Sequence, residues 1–477
     1  MRRSLQYSSK VILLFMCTLT PVVVLAQWSL PFDLSPSAVS AGLNESMGSC
    51  IGVSGDTIHV VYCDRFNLTH GTIYYTRSTD SGLTWSAPVA ITSLNANSFN
   101  PAIAVNGSSI HVVWRNIDTI NNNRSSHYIH SLDGGNTWGN SMTIDSPVAD
   151  WPAIAVSGNH VYVANDIVTA ALPYNTEIFL LHSEDNGATW STHQQITFAE
   201  GRSEDEALTA QGSHLFMSWN DNRSGQMQIF TKHSKDYGAV WDSDVAVIPP
   251  LGYGTMVWMD GAFVDVVAAG APSGNYQTLL AQSPDTGATW LTDTDLTNDS
   301  LNSYYYPDMV RDGDELHVVY VKVGTGAQYL HSADGGSTWD APYTFGNSGI
   351  TSFIAYSGCV LNVIVPDSGH IHYFRNPTGN AGMHCNVPNG FSSVPEQSVL
   401  IYPNPFSTSA TIEVSSFKNQ SDAVLKVYDV YDKSISSINF NGSNKIIFKK
   451  EKLSSGIYFY EIDQGARLIA RGKILIQ

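Results

Sequence analysis

The protein has 477 residues, 43% of them hydrophobic and 14% charged, which is enough apolar material for a large core and excludes a disordered polymer. Its net charge of −18 is concentrated between residues 27 and 392, where eleven Lys or Arg face thirty-four Asp or Glu. A body so acidic repels phosphate backbones and anionic lipid headgroups, so nucleic acid and membrane surfaces are disfavoured as partners, and the length argues for two or three folded units.

Residues 1–26 place Arg2, Arg3 and Lys10 ahead of an apolar stretch that ends Val24-Leu25-Ala26, the pattern of a secretory signal peptide and its cleavage site. Beyond it no uninterrupted apolar run is long enough for a transmembrane helix. Cys17 belongs to the signal, leaving Cys50, Cys63, Cys359 and Cys385 in a chain bound for an oxidising compartment. Three pairings of the four are open. The expected strand positions favour Cys50 with Cys63 on adjacent strands, and Cys359 with Cys385, clipping the following linker to the body.

From residue 78 a template repeats six times: STDSGLTW (78–85), SLDGGNTW (131–138), SEDNGATW (183–190), SKDYGAVW (234–241), SPDTGATW (283–290) and SADGGSTW (332–339). Its aspartates, Asp80, Asp133, Asp185, Asp236, Asp285 and Asp334, are 53, 52, 51, 49 and 49 residues apart, the length of a four-stranded unit. Ser and Asp side chains can bond the turn's own backbone, and Gly can take positive φ there. Short runs such as Pro101-Ala-Ile-Ala-Val105, His111-Val-Val-Trp114 and His127-Tyr-Ile-His130 precede each box and read as strands A, B and C, with strand D after the Trp. After the sixth box, 351–357, 361–365 and 370–374 supply three strands without a fourth. Trp28-Ser-Leu-Pro-Phe-Asp-Leu-Ser35 copies the stretch that follows the first box, so it is expected to complete the last sheet and close the ring.

The template resembles the Asp box, or bacterial neuraminidase repeat, of sialidase-type β-propellers and of other secreted propellers. The expected fold is therefore all-β: a seven-bladed β-propeller over residues 27–376, closed by an N-terminal strand, where sialidases usually have six blades. Residues 377–398 turn to Pro, Gly, Asn and Ser, a linker composition. Residues 399–477 then give strands at Ile401-Tyr-Pro-Asn-Pro-Phe406, 425–430, 453–460 and 470–477, and read as a small β-sandwich. That ensemble resembles the C-terminal sorting domain of the type IX secretion system. The resemblance implies the type IX secretion machinery as a partner, passage across the outer membrane, and a place outside or on the cell surface. An accessory carbohydrate-binding sandwich is the alternative.

With strands alternating in direction, the boxes lie on one face of the disc and the B–C loops and D–A links on the other, where a ligand is expected. Four of the propeller's few cations fall on that loop face: Arg65, Arg115, Arg202 and Arg223. With them come Asp64, Asp150, Trp151, Asp166, the run Glu204-Asp205-Glu206, Asp221, and Tyr304, Tyr305 and Tyr306. Each also has a structural reading: Asp221–Arg223 as a loop brace, the tyrosines as packing, the acidic run as solvated surface, Trp151 as a blade cap. The resemblance to sialidases implies an arginine triad gripping a carboxylate, a Tyr–Glu nucleophile and an Asp acid/base. The family's Phe/Tyr-Arg-Ile-Pro signature is absent; Ser29-Leu-Pro-Phe32 has no arginine.

His59, His111, His160 and His317 recur at one register and are spread around the ring, and Asp312-Gly-Asp-Glu315 lacks the spacing of a calcium loop, so no metal and no cofactor is expected. The leading expectation is a secreted or surface propeller that binds a glycan, a glycoprotein or another extracellular ligand. An exo-sialidase-like glycoside hydrolase and a structural adhesin are the alternatives, and the oligomeric state is left open.

Overall fold

A computed structural model describes residues 28–376 and 399–476, apart from short stretches within each. The chain separates into two compact units, residues 1–386 and 387–477. The expected signal peptide, the expected linker over 377–398 and the expected Cys359–Cys385 pairing lie outside the described residues.

The first unit is built from antiparallel sheets, seven among the described residues. In chain order their first three strands are 51–54, 57–67 and 70–78 (blade one); 98–106, 109–117 and 124–131 (two); 149–157, 160–171 and 174–183 (three); 203–211, 214–221 and 228–234 (four). Blades five to seven follow at 253–260, 263–270 and 277–283; 304–312, 315–322 and 326–332; and 353–357, 360–367 and 370–376. A short fourth strand follows the box in blades one to six, and blade one gains residues 41–42 beside its second strand. In blade seven the outer place is taken by the N-terminal strip, with Phe32 opposite Tyr373 and Asp33 opposite His372. First strands of successive blades lie against one another, and that of blade seven lies against that of blade one. Second strands such as Leu316–Val321 are buried throughout, because neighbouring blades cover both of their faces.

The box is a self-contained turn. In blade two, Asp133 Oδ1 accepts from the Thr137 amide at 2.9 Å and from Ser131 Oγ at 2.8 Å, its second oxygen accepts from Thr137 Oγ1 at 2.6 Å, and Ser131 Oγ takes the Gly135 amide at 2.9 Å. These donors hold Asp133 down to about 2. Box four, where Val240 replaces Thr, lacks the hydroxyl bond to the second carboxylate oxygen and keeps the bonds from the Val240 amide, from Ser234 Oγ and from the Gly238 amide. The glycine is required twice over: Gly135 has φ +83°, and a Cβ there would fall 2.1 Å from the Tyr75 hydroxyl of blade one. The box Trp packs on that same preceding ring: Trp138 on Tyr75 (4.9 Å), Trp190 on Tyr128 (4.9 Å), and Trp85 on Tyr373 of blade seven (4.8 Å). Trp28 takes the corresponding place for blade seven, edge-on to Tyr329 of blade six at 5.0 Å.

The expected Cys50–Cys63 disulfide is not formed; both side chains are buried thiols. Each points across to blade two instead, Cys50 Sγ donating to the Pro101 carbonyl (3.2 Å) and Cys63 Sγ to that of Ser98 (3.3 Å), and burial pushes the Cys50 thiol well up.

The second unit pairs a three-stranded sheet (399–402, 409–414, 445–449) with a four-stranded one (434–439, 423–428, 456–464, 467–476). The strictly alternating burial of Ser409–Val414 and Ala423–Tyr428 turns Ile412, Val414, Leu425 and Val427 into one shared core with Phe406, Phe440 and Phe448.

Candidate functional site

The first strands of blades two to six each carry a register shift close to their loop-face end. At each shift stands a residue of positive φ: Asn100 (53°), Trp151 (47°), Asp205 (56°), Gly254 (62°) and Tyr306 (50°). For Trp and Tyr this conformation is strained, and strain of this kind gathers at ligand sites. Proline follows in blades two, three and six (Pro101, Pro152, Pro307), whereas blade four has Glu206.

The side chains at these bulges form an arc. The Arg115 guanidinium lies over the Trp151 ring at 4.2 Å and donates to Asp150 at 3.0 Å; Arg124 also donates to Asp150. Asp166, opposite Asp150 in the pairing of blade three, faces blade four from within the second strand rather than from a loop. Burial first, and then the neighbouring Glu206, Asp150, Asp205 and Glu204 carboxylates, pushes Asp166 well above the usual carboxylate range. Glu206 is raised first by burial and then by Asp205 and Asp150, against the lowering effect of its own amide, and both of its oxygens are buried with no hydrogen-bond partner outside that residue. Asp205, which accepts from Asn220 Nδ2 at 2.9 Å, is pushed up to about 7 by burial and by Glu204. Glu204, raised by burial, is met by Arg202 at 3.3 Å. Past Asp205 the arc turns aromatic: Tyr253 is raised by burial and by Asp205, and the Tyr276 and Tyr305 rings meet at 5.0 Å, tilted by 42°, with Tyr306 next to Tyr305.

The structure thus gathers Arg115, Trp151, Arg202, Glu204 and Tyr305, and separates the remaining candidates. Asp221 is filled by five donors from Ser203, Trp219 and Arg223, and Arg223 reaches Asp244 at 2.7 Å as well while covering Phe230, so this pair braces blade four. Asp64 caps the amides of Val39 and Ser40 (3.0 and 2.9 Å), and Arg65 packs toward Phe99. Tyr304 is buried, its hydroxyl donating to Asp299 at 2.7 Å. Arg115, Arg202 and Arg223 each answer a different carboxylate, so these three do not form a common clamp. Tyr253 and Tyr276 escaped the sequence reading, although Tyr253 directly precedes the bulge glycine and aligns with Asp150, Glu204 and Tyr305.

Boxes, sheet order and inner strands define an Asp-box propeller carrying a separate β-sandwich. The chain belongs to the BNR repeat-like domain family, whose profile matches residues 26–318. Residues 400–477 match the secretion system C-terminal sorting domain, which assigns the chain to type IX export and to the cell surface or the extracellular space. No curated protein matches. Similar solved structures include a PL25 ulvan lyase (11% identity, 70% of this chain and 93% of that one, TM-score 0.49), the α-L-arabinofuranosidase Arb93a of Fusarium graminearum (15%, 58% and 90%, 0.40) and the NanB sialidase of Streptococcus pneumoniae (12%, 73% and 70%, 0.40). Among the described residues no helix is long and apolar enough to cross a membrane.

Proposed function

We propose that the propeller binds a neutral glycan along the arc from Trp151 to Tyr306. The observation that carries this reading is the set of left-handed bulges holding Trp151, Asp205 and Tyr306 at one register of three blades. Sugar rings offer apolar C–H faces to indole and phenol rings and hydroxyl donors to carboxylates, and the arc supplies both in sequence. Anionic sugars are disfavoured, because Arg115 and Arg202 are already matched by Asp150 and Glu204 and the body from 27 to 392 carries eleven Lys or Arg against thirty-four Asp or Glu. Retention on a panel of neutral and anionic polysaccharides tests it. Retention on neutral chains, abolished by Trp151→Ala, is expected; equal retention of that variant, or preference for sialylated or uronic chains, overturns the reading.

A second reading, glycoside hydrolysis at the same arc, is favoured by one observation: Asp205, held near 7, keeps a transferable proton at neutral pH beside Glu204. Release of reducing ends from a retained polysaccharide, lost in Asp205→Asn, would establish turnover; retention without release leaves a binding protein.

A further inference from the structure

On the opposite face, at the box end of blade six, Glu315, His317 and His331 bring one carboxylate oxygen and two imidazole nitrogens within 4.8 Å of one another, all three side chains buried. Glu315 and His317 alternate on the second strand and so share a side, and His331 stands opposite His317 on the third. Each imidazole is oriented through Nδ1: His317 by the Tyr329 hydroxyl at 2.7 Å, His331 by Asp340 Oδ2 at 2.7 Å. Both Nε2 atoms are thereby left for a centre beside Glu315. His331 Nε2 lies 2.5 Å from Glu315 Oε2, while His317 Nε2 is buried with no hydrogen-bond partner.

We infer that Glu315, His317 and His331 form a site for a divalent transition-metal ion of the zinc type. Two imidazoles and a carboxylate are the donor set that zinc takes in sites with a fourth position left over, and second ring nitrogens held by a hydroxyl or carboxylate are the usual outer support of such ligands. The His–Tyr pair alone is a repeat feature, present as His59–Tyr75 and His111–Tyr128 at 2.7 Å. At the positions of Glu315 and His331, however, blade one has Thr57 and Arg77, and blade two has Ser109 and His130. The four recurring histidines stay in their separate blades; convergence arises inside blade six, where a carboxylate and a second imidazole join one of them. Metal bonds of about 2.0–2.2 Å in a tetrahedron separate ligand atoms by about 3.3 Å. Admitting the ion therefore requires Glu315 and His331 to part by less than an ångström, with the proton between them released, and gives His317 Nε2 a partner.

The test uses the full-length protein, stripped with chelator and titrated with Zn²⁺, with Co²⁺ as spectroscopic reporter. One tightly held ion per chain, a visible Co²⁺ band of low-symmetry coordination and a Zn²⁺-dependent rise in melting temperature are expected. Glu315→Gln should weaken binding by about 100-fold and Asp340→Asn, a change at an exposed positioning residue, by about 10-fold. Since the Asp340 variant leaves the core untouched, its effect separates lost metal from lost fold. Absence of a tightly held ion, or binding unchanged in both variants but lost in His182→Gln, would overturn the inference, the latter by moving the metal to the His160, His182 and Glu184 group.

Discussion

At Asp205 the interior's effect on a single carboxyl has a measurable sign. Its folded value near 7 lies above the unfolded one, so between about pH 4 and 7 the unfolded chain has lost this proton while the folded chain keeps it. The group's contribution is complete below pH 4 and declines as pH rises through that window. Asp205→Asn, which can still accept from Asn220, should therefore match the parent protein at pH 4 and exceed it by about 2 kcal/mol at pH 8 in urea unfolding, a figure discounted for partial exposure. An equal difference at both pH values would show that Asp205 titrates normally. The box aspartates were legible in the sequence because all their partners lie within four residues. The Asp221–Arg223 brace was one of the two readings open in the sequence, but its second carboxylate, Asp244, could not be read there, because only the sheet brings it to Arg223. Glu206 was legible only as part of an acidic run; aligning Asp205-Glu206 with Asn100-Pro101, Trp151-Pro152 and Tyr306-Pro307 shows it standing where the other bulges carry proline, and that alignment follows from the bulges.

Scale up to the strand, and the bulge becomes the working element. An extra residue near the start of the first strand turns Trp151 and Tyr306 out of the strict alternation of their strands, Trp151 toward Arg115 and Tyr306 onto the edge of the blade-five core. A left-handed φ costs a bulky residue about 1 kcal/mol, roughly what the Arg115–Trp151 contact returns. Trp151→Gly should accordingly leave stability within about 1 kcal/mol of the parent while abolishing retention on neutral polysaccharide. A loss of several kcal/mol in chemical unfolding would mean that the indole is a blade cap. Strand order and box position were readable from periodicity, but bulges were not, since only two paired residues precede each shift in blades two, three, four and six, too few for the break in apolar–polar alternation to stand out.

For the whole molecule, the strip from Trp28 to Ser35 matters most. Trp28 sits against Tyr329 and Phe345 (5.0 and 4.8 Å), and Ser29 and Arg375 exchange two bonds. Trp28→Ala should cost about 3 kcal/mol and make residues 353–376 the first to be cut by protease; cleavage starting elsewhere would show that the strip is not the clasp. Its pairing was legible because Trp28–Ser35 copies a segment following a box, so the same side-chain arithmetic places it.

The clasp also sets a schedule. Phe32 meets Tyr373 only after every intervening repeat has been made, a chain separation of more than three hundred residues that a growing or threading polypeptide bridges last. Until then the first and seventh sheets both present raw borders. A chain cut short before residue 370 would have the Asp boxes and most of the arc, yet would stay an open, sticky crescent.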